Sequence, residues 1–199
     1  MTEKISISRF YKTALLLVLI LSAFSCTRSG GPKYYFNPDM DFGSIKTAAV
    51  MPLENMTREQ LAAERVRDVF TNLLLSRTNI YVMPPGEVAR GVLITGITNP
   101  ANPSPEEIIK LGAVIKVDVV ITGAVREYGE VKSGAAAANV ISVNLQMIEA
   151  ATGKIIWTAS TTKGGISIWD RLFGGGGKPM NDVTEAAAND LIKKLRLLM

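Results

Sequence analysis

The sequence predicts an α/β (α+β) domain: a mixed sheet of about five strands in the order β-α-β-α-α-β-β-β-α, with helices packed on the sheet. Three observations carry this expectation. Apolar residues make up 47% and charged residues 20% of the 199-residue chain, a globular composition rather than that of a disordered one. Short apolar runs alternate with helical periodicity in the first half, which favours parallel neighbours. The second half switches to period-two alternation across a tight turn, and a hairpin requires antiparallel ones.

In chain order, the first element is a leader. Lys4, Arg9 and Lys12 precede an apolar stretch from Ala14 to Phe24 of about 11 residues. At 1.5 Å per residue it would reach roughly 16 Å, about half of a ~30 Å hydrocarbon core, so it is too short to anchor by spanning. A positive start, a short apolar run and small residues before a cut site make a secretory signal. Ala23-Phe24-Ser25-Cys26 resembles a bacterial lipobox, although Ala23 and Phe24 stand where that pattern usually has leucine and a small residue. The resemblance implies removal of residues 1–25, acylation of Cys26 and palmitate among its acyl chains. The alternatives are an ordinary secretory cut nearby or an uncleaved anchor. Two or more acyl chains suffice for stable anchoring. Thr27, rather than an aspartate, implies by the same resemblance an outer-membrane address on the periplasmic face.

Residues 26–42 read as a lipidated tether punctuated by Gly, Pro and Asn. Tyr34, Tyr35 and Phe36 are aromatic for a spacer, and either pack on the domain or lie along a partner or the lipid surface. Residues 43–199 form a single globular domain. "KTAAVMPLEN" (46–55) is a buried strand stopped at a sheet edge by Pro52. Thr57 and Gln60 fit a capping box for a helix to about Ser76, whose inner face holds Ala62, Val66, Val69, Phe70, Leu73 and Leu74. "NIYVMPP" is a second strand and "GEVARGVL" a short helix. Ser104 caps the next helix, Pro105 opens it, Glu106 and Glu107 complement its dipole, and Gly112 ends it.

"VDVVITGAVREYGEVK" (117–132) is a strand whose first half is central. "NVISVNLQMIEA" (139–150) sets Ile141, Val143, Leu145 and Met147 against Ser142, Asn144 and Gln146, the period of a strand with one wet face. After the "ATGK" turn, "IIWTASTT" (155–162) returns with Trp157 as a core residue. A last amphipathic helix starts near Asn181, with Val183, Ala187, Leu191 and Leu195 on one face.

Composition also excludes chemistry. There is no histidine, so imidazole catalysis and imidazole metal ligation are unavailable within the chain. A single cysteine forms neither an intrachain disulfide nor a thiolate cluster. Three of the 22 basic and one of the 18 acidic residues precede Cys26, which leaves 19 against 17, a net charge of +2. No basic face able to neutralise many phosphates follows, so no nucleic-acid partner is expected.

The stretches "KTAAVMPLENMT", "LGAVIKVDVVITGAVREYGEVKSG" and "VNLQMIEAATGKIIWTAS" together resemble the CsgG/LpoB-like periplasmic lipoprotein superfamily. Its most specific parts here are Thr122-Gly123-Ala124-Val125 and the turn Thr152-Gly153-Lys154 before Trp157. Members often carry Gly-Ala-Asp before the central strand; this chain has Gly112-Ala113 and places Asp118 further on. CsgG-like channels insert two hairpins per subunit, and each spanning strand needs about 9–11 residues. Neither "KSGAAAAN" (132–139) nor "KGGISIWDRLFGGGGKPMN" (163–181) supplies such strands, so the chain is not expected to form its own pore.

"GGGGKP" (174–179) lacks the first glycine and the Ser/Thr of a phosphate loop, so no nucleotide is expected, nor any other cofactor. Four glycines read instead as a hinge. The adjoining "ISIWDRLF" brings Ile166, Ile168, Trp169, Leu172 and Phe173 between glycines. It is either a flap on the domain's own core or a docking element in which Ile168, Trp169, Leu172 and Phe173 meet a partner. The pairs Glu106/Glu107 and Glu127/Glu130 read as caps or solvated faces, and no metal site or catalytic residue is expected. The expected function is therefore non-enzymatic. The chain is a lipid-anchored protein acting in assembly, secretion or envelope regulation through an envelope partner or through self-oligomers. The alternative is a ring-forming, CsgG-like transport component.

Overall fold

The computed structural model describes residues 34–133, 136–166 and 177–199, all within one compact unit that begins at Pro32. Seven strands form one mixed sheet in the order β1-β7-β6-β5-β2-β4, with β3 also paired to β5. They are β1 (Tyr34–Phe36), β2 (Thr47–Val50), β3 (Glu54–Asn55), β4 (Tyr81–Val82), β5 (Val119–Ser133), β6 (Ala136–Glu149) and β7 (Ile155–Gly164). Among the described residues four α-helices accompany them: α1 (Ala62–Arg77), α2 (Pro85–Thr95), α3 (Pro105–Ile115) and α4 (Met180–Arg196). The α+β class and the order of the five expected strands hold; the two added strands are β1 and β3.

Parallel pairing joins β2 to both β4 and β5, where helices carry the crossovers, and antiparallel pairing joins β5, β6 and β7. β1 pairs antiparallel with β7, Tyr34 opposite Ala159 and Phe36 opposite Trp157. Tyr34, Tyr35 and Phe36 thus take an edge position, all three partly exposed, with the Tyr34 and Phe36 rings stacked at 6.3 Å. The alternation of β6 directs Val143, Leu145 and Met147 to one face, where Trp157 and Ala159 of β7 join them. α1 closes that face with Val66, Phe70 and Leu74, and α4 with Val183, Ala187, Leu191 and Leu195. Each buried Val, Leu, Met or Phe among them contributes about 1.5–3 kcal/mol through burial, so this face dominates the core. On the other face Ala49, Met51, Val120 and Ile148 meet Val88 of α2 and Ile108 and Leu111 of α3.

Four local expectations need correction. Pro52 does not stop pairing at a sheet edge: β2 is flanked by β4 and β5, and the chain pairs again with β5 through Glu54 and Asn55. The capping box at Thr57 and Gln60 does not form. Asn55 captures the Thr57 N–H and hydroxyl and donates to the Glu59 and Gln60 carbonyls, so α1 begins at Ala62 without a side-chain cap. Gly112 does not end α3, which continues to Ile115. Its role is close approach, since a Cβ there would lie 2.5 Å from the Ala150 Cβ. The strand expected over 139–150 begins earlier, since the alanines of 136–138 belong to β6.

Candidate functional site

Cys26 and the segment with Ile168, Trp169, Leu172 and Phe173 lie outside the described residues. The base of that segment is described. The Gly165 N–H donates to the Asn139 carbonyl at 2.9 Å, and the Gly177 N–H to the Ala137 carbonyl at 3.2 Å. The Asn139 side-chain amide also donates to the Lys178 carbonyl at 2.8 Å, so both ends are held on the first residues of β6. Gly164 (φ +85°) and Gly165 (φ +95°) adopt left-handed backbone that other residues resist, and a Cβ at Gly164 would meet the Asn139 oxygen at 2.0 Å.

Beside this base, β7 and α4 are tied by charge. Lys163 Nζ lies 3.0 Å and Lys194 Nζ 2.7 Å from the two oxygens of Asp190, and Lys194 also donates to the Ser160 carbonyl at 3.2 Å. Burial lowers the Lys194 pKa, and its contacts with Asp190 only partly offset this. Burial pulls the Asp190 carboxyl upward, but hydrogen bonds from Lys194, Lys163 and Thr161 bring it below the usual value. No sequence signal marks this cluster, because Lys163 and Asp190 are brought together only by the fold.

Asp118 forms a second clamp, between β5 and β2. Its carboxylate accepts from the backbone N–H of Lys46 at 2.8 Å and of Thr47 at 2.9 Å, and its own N–H donates to the Thr47 hydroxyl. Partial burial raises its pKa, yet those donors outweigh burial and hold it below the ordinary value. Asp118 thus sits at the foot of the central strand, bridging β5 to the start of β2.

The pair Glu106/Glu107 does structural work. Ser104 and Glu107 complete a reciprocal capping box, and Glu106 accepts from the Ser104 hydroxyl at 2.8 Å. Backbone and Ser104 hydrogen bonds lower the Glu106 pKa, opposite to what a general acid requires. Glu130 faces Lys132 at 3.7 Å on the exposed hairpin. Among the described residues no three His, Cys, Asp or Glu side chains group as a metal site, and no helix is long and apolar enough to cross a membrane.

The sheet face opposite Leu145 carries a polar ladder. Gln146 pairs with Thr122 and Thr158, Asn144 with Ser160, and Ser142 with Thr162 across the three long strands. Gln146 donates to the Thr122 hydroxyl at 2.8 Å and Thr162 to the Ser142 hydroxyl at 3.2 Å, forming short cross-strand links. Apart from Thr122, these side chains are half-buried or exposed.

No protein-family model matches the sequence, and no curated protein matches it. Solved structures do. The PelC dodecamer from Paraburkholderia phytofirmans superposes with a TM-score of 0.55 at 17% identity, over 82% of this chain and 95% of that one. Lipoprotein GNA1162 from Neisseria meningitidis gives 0.54 at 20% identity, over 75% of this chain and 99% of that one. The LpoB C-terminal domain from Escherichia coli gives 0.44 at 14% identity, over 59% and 81%. The fold of this chain is shared along nearly the whole length of PelC and of lipoprotein GNA1162.

Proposed function

We propose that the chain is a lipid-anchored protein of the bacterial envelope that works by binding other proteins rather than by catalysis. The observation that carries this reading is Cys26. It follows an apolar run too short to span, in a chain whose fold is that of a protein described as a lipoprotein. Without histidine or a second cysteine, acylation is the chemistry this residue best fits. The tether expected over 26–42 shortens to residues 27–33, because Tyr34–Phe36 pair with β7 and Phe42 is buried in the core, and Thr27 favours the periplasmic face of the outer membrane. The exposed sheet face, the edge strand β1 and the segment of Ile168, Trp169, Leu172 and Phe173 are the surfaces offered to an envelope partner. Fractionation and intact mass of Cys26→Ser test the anchor. The variant is expected to leave the membrane fraction and to lack acyl mass; a variant that stays bound with unchanged mass sinks the reading.

A second reading, self-assembly into a ring, is supported by the dodecamer that PelC forms on the same fold. Light scattering on residues 27–199 separates the two: a monodisperse monomer at high concentration removes the ring, and a discrete large oligomer removes the purely monomeric binder.

A further inference from the structure

Three basic side chains from three separate parts of the chain line one cavity at the foot of the sheet. Its volume is about 390 Å³ and its walls include Lys46, just before β2, Arg77, at the end of α1, and Arg196, at the end of α4. The buried side chains of Phe42, Ile45 and Ile80 form its apolar side. Among the described residues no Asp or Glu side chain lines it, although Met199, the last residue of the sequence, also lies in its wall, and none of the three cations forms an ion pair.

Ordinary structural roles account for part of this only. A cation in the last turn of a helix complements the dipole, which suits Arg77 and Arg196. The end of α1 is nevertheless already capped, because the Leu74 carbonyl accepts the Thr78 N–H at 3.1 Å and its hydroxyl at 2.6 Å. Lys46 belongs to neither helix. Its Nζ donates to the Gly43 carbonyl at 2.8 Å, which fixes the ammonium at the cavity, while Asp118 holds its backbone. Three like charges around one concavity repel each other and focus a positive potential into it. An anion in the cavity reverses the sign of that cost.

We propose that this cavity binds a phosphate group. Arg77 and Arg196 supply planar forks that can each donate two N–H groups to oxyanion oxygens, and Lys46 supplies a point charge. Three donors converging from different sides suit the tetrahedrally arranged oxygens of a phosphate, ester or free anion, better than the two coplanar oxygens of a carboxylate. The phosphate is either a phospholipid headgroup or free inorganic phosphate. The headgroup source rests on the anchoring at Cys26 proposed above: seven residues, 27–33, reach at most about 25 Å, holding the domain against the bilayer. The free-phosphate source does not depend on it.

The test uses residues 27–199, which contain every core residue of the compact unit and no acyl chain, so membrane binding reports the cavity and not the anchor. Inorganic phosphate is titrated by NMR. Vesicles of equal phosphatidylglycerol and phosphatidylcholine, and of phosphatidylcholine alone, are tested by cosedimentation. Either phosphate or the anionic vesicles bind the wild-type chain. Arg77→Gln and Arg196→Gln each weaken that binding about tenfold, the size of a lost charge-assisted hydrogen bond. Both arginines are exposed, so the variants keep the wild-type melting temperature. The control Lys110→Gln/Arg126→Gln, which removes two charges elsewhere, binds as wild type. Binding to anionic vesicles assigns the headgroup, and binding to phosphate alone assigns the free anion. No binding to either probe, equal binding by the arginine variants, or an equal loss in the control overturns the site. None of these results alters the outcome of the Cys26→Ser fractionation.

Discussion

The two faces of the sheet differ in what covers them, and the difference shows where this domain keeps its stability and where it has surface to spare. On one face α1 and α4 bury β5, β6 and β7 beneath large side chains, Trp157, Leu145 and Met147 among them. On the other, α2 and α3 cover only β2 and the neighbouring ends of β5 and β6, leaving Ser142, Asn144, Ser160 and Thr162 outside the core. One strand, β6, serves both faces through its period of two, so neighbouring residues on it should respond very differently to truncation. The largest response belongs to the covered face. Leu145→Ala removes a fully buried side chain and should cost about 2–5 kcal/mol, read by chemical denaturation. A loss under 1 kcal/mol would show that the helix-covered face is not the main core.

The charged tie between that face and β7 comes next. Asp190→Ala leaves the buried Lys194 ammonium uncompensated and should cost about 2–3 kcal/mol, less than a fully buried pair because Asp190 is partly exposed. Adding Lys194→Met to that variant removes the stranded charge and should restore most of the loss. If the double variant is no more stable than the single, the tie does not act through Lys194.

Asp118, at the foot of the central strand, joins β5 to β2 from the rim and should matter less, since it is solvent-exposed. Asp118→Asn should cost about 1 kcal/mol near neutral pH. The folded carboxyl is held below its ordinary pKa, so its contribution is complete above the unfolded value, near pH 4, and is lost as pH falls through the lower folded one. The stability difference between variant and wild type should therefore shrink on acidification below about pH 4. A difference that stays constant through that range would remove the carboxylate's charge from the explanation.

What the sequence made legible follows the same division. The covered face announces itself by period: Ile141, Val143, Leu145 and Met147 along β6, and Val183, Ala187, Leu191 and Leu195 along α4, could be read directly and are buried. β1 carries no such signal. Three aromatic residues show no alternation, and their partners Trp157 to Ala159 lie far along the chain, so the pairing that makes them a strand is visible only in the fold. Thr57 misled because Asn55, two residues earlier, competes for its hydroxyl and amide, which a spacing rule does not weigh. Gly112 has the composition of a helix stop, and only the proximity of Ala150 shows it to be a packing glycine. The three cations of the basic cavity lie far apart in sequence, so no motif could have gathered Lys46, Arg77 and Arg196.

The smallest expected effect is the most informative about the open face. Asn144 precedes Leu145 on β6 and points the other way, with no side-chain hydrogen bond among the described residues. For an isolated chain, Asn144→Ala should change stability by no more than about 0.5 kcal/mol, as surface substitutions away from special features do. Measured at low and at high protein concentration, the same variant tests whether the face stays open. A chain that remains monomeric gives the same small value at both. If another copy covers the ladder of Ser142, Asn144 and Ser160, truncating Asn144 leaves the facing polar groups unpaired, and the loss grows with concentration as assembly is weakened. A large effect at low concentration would instead mean that part of this chain covers the face, making the two faces alike where the described residues make them different.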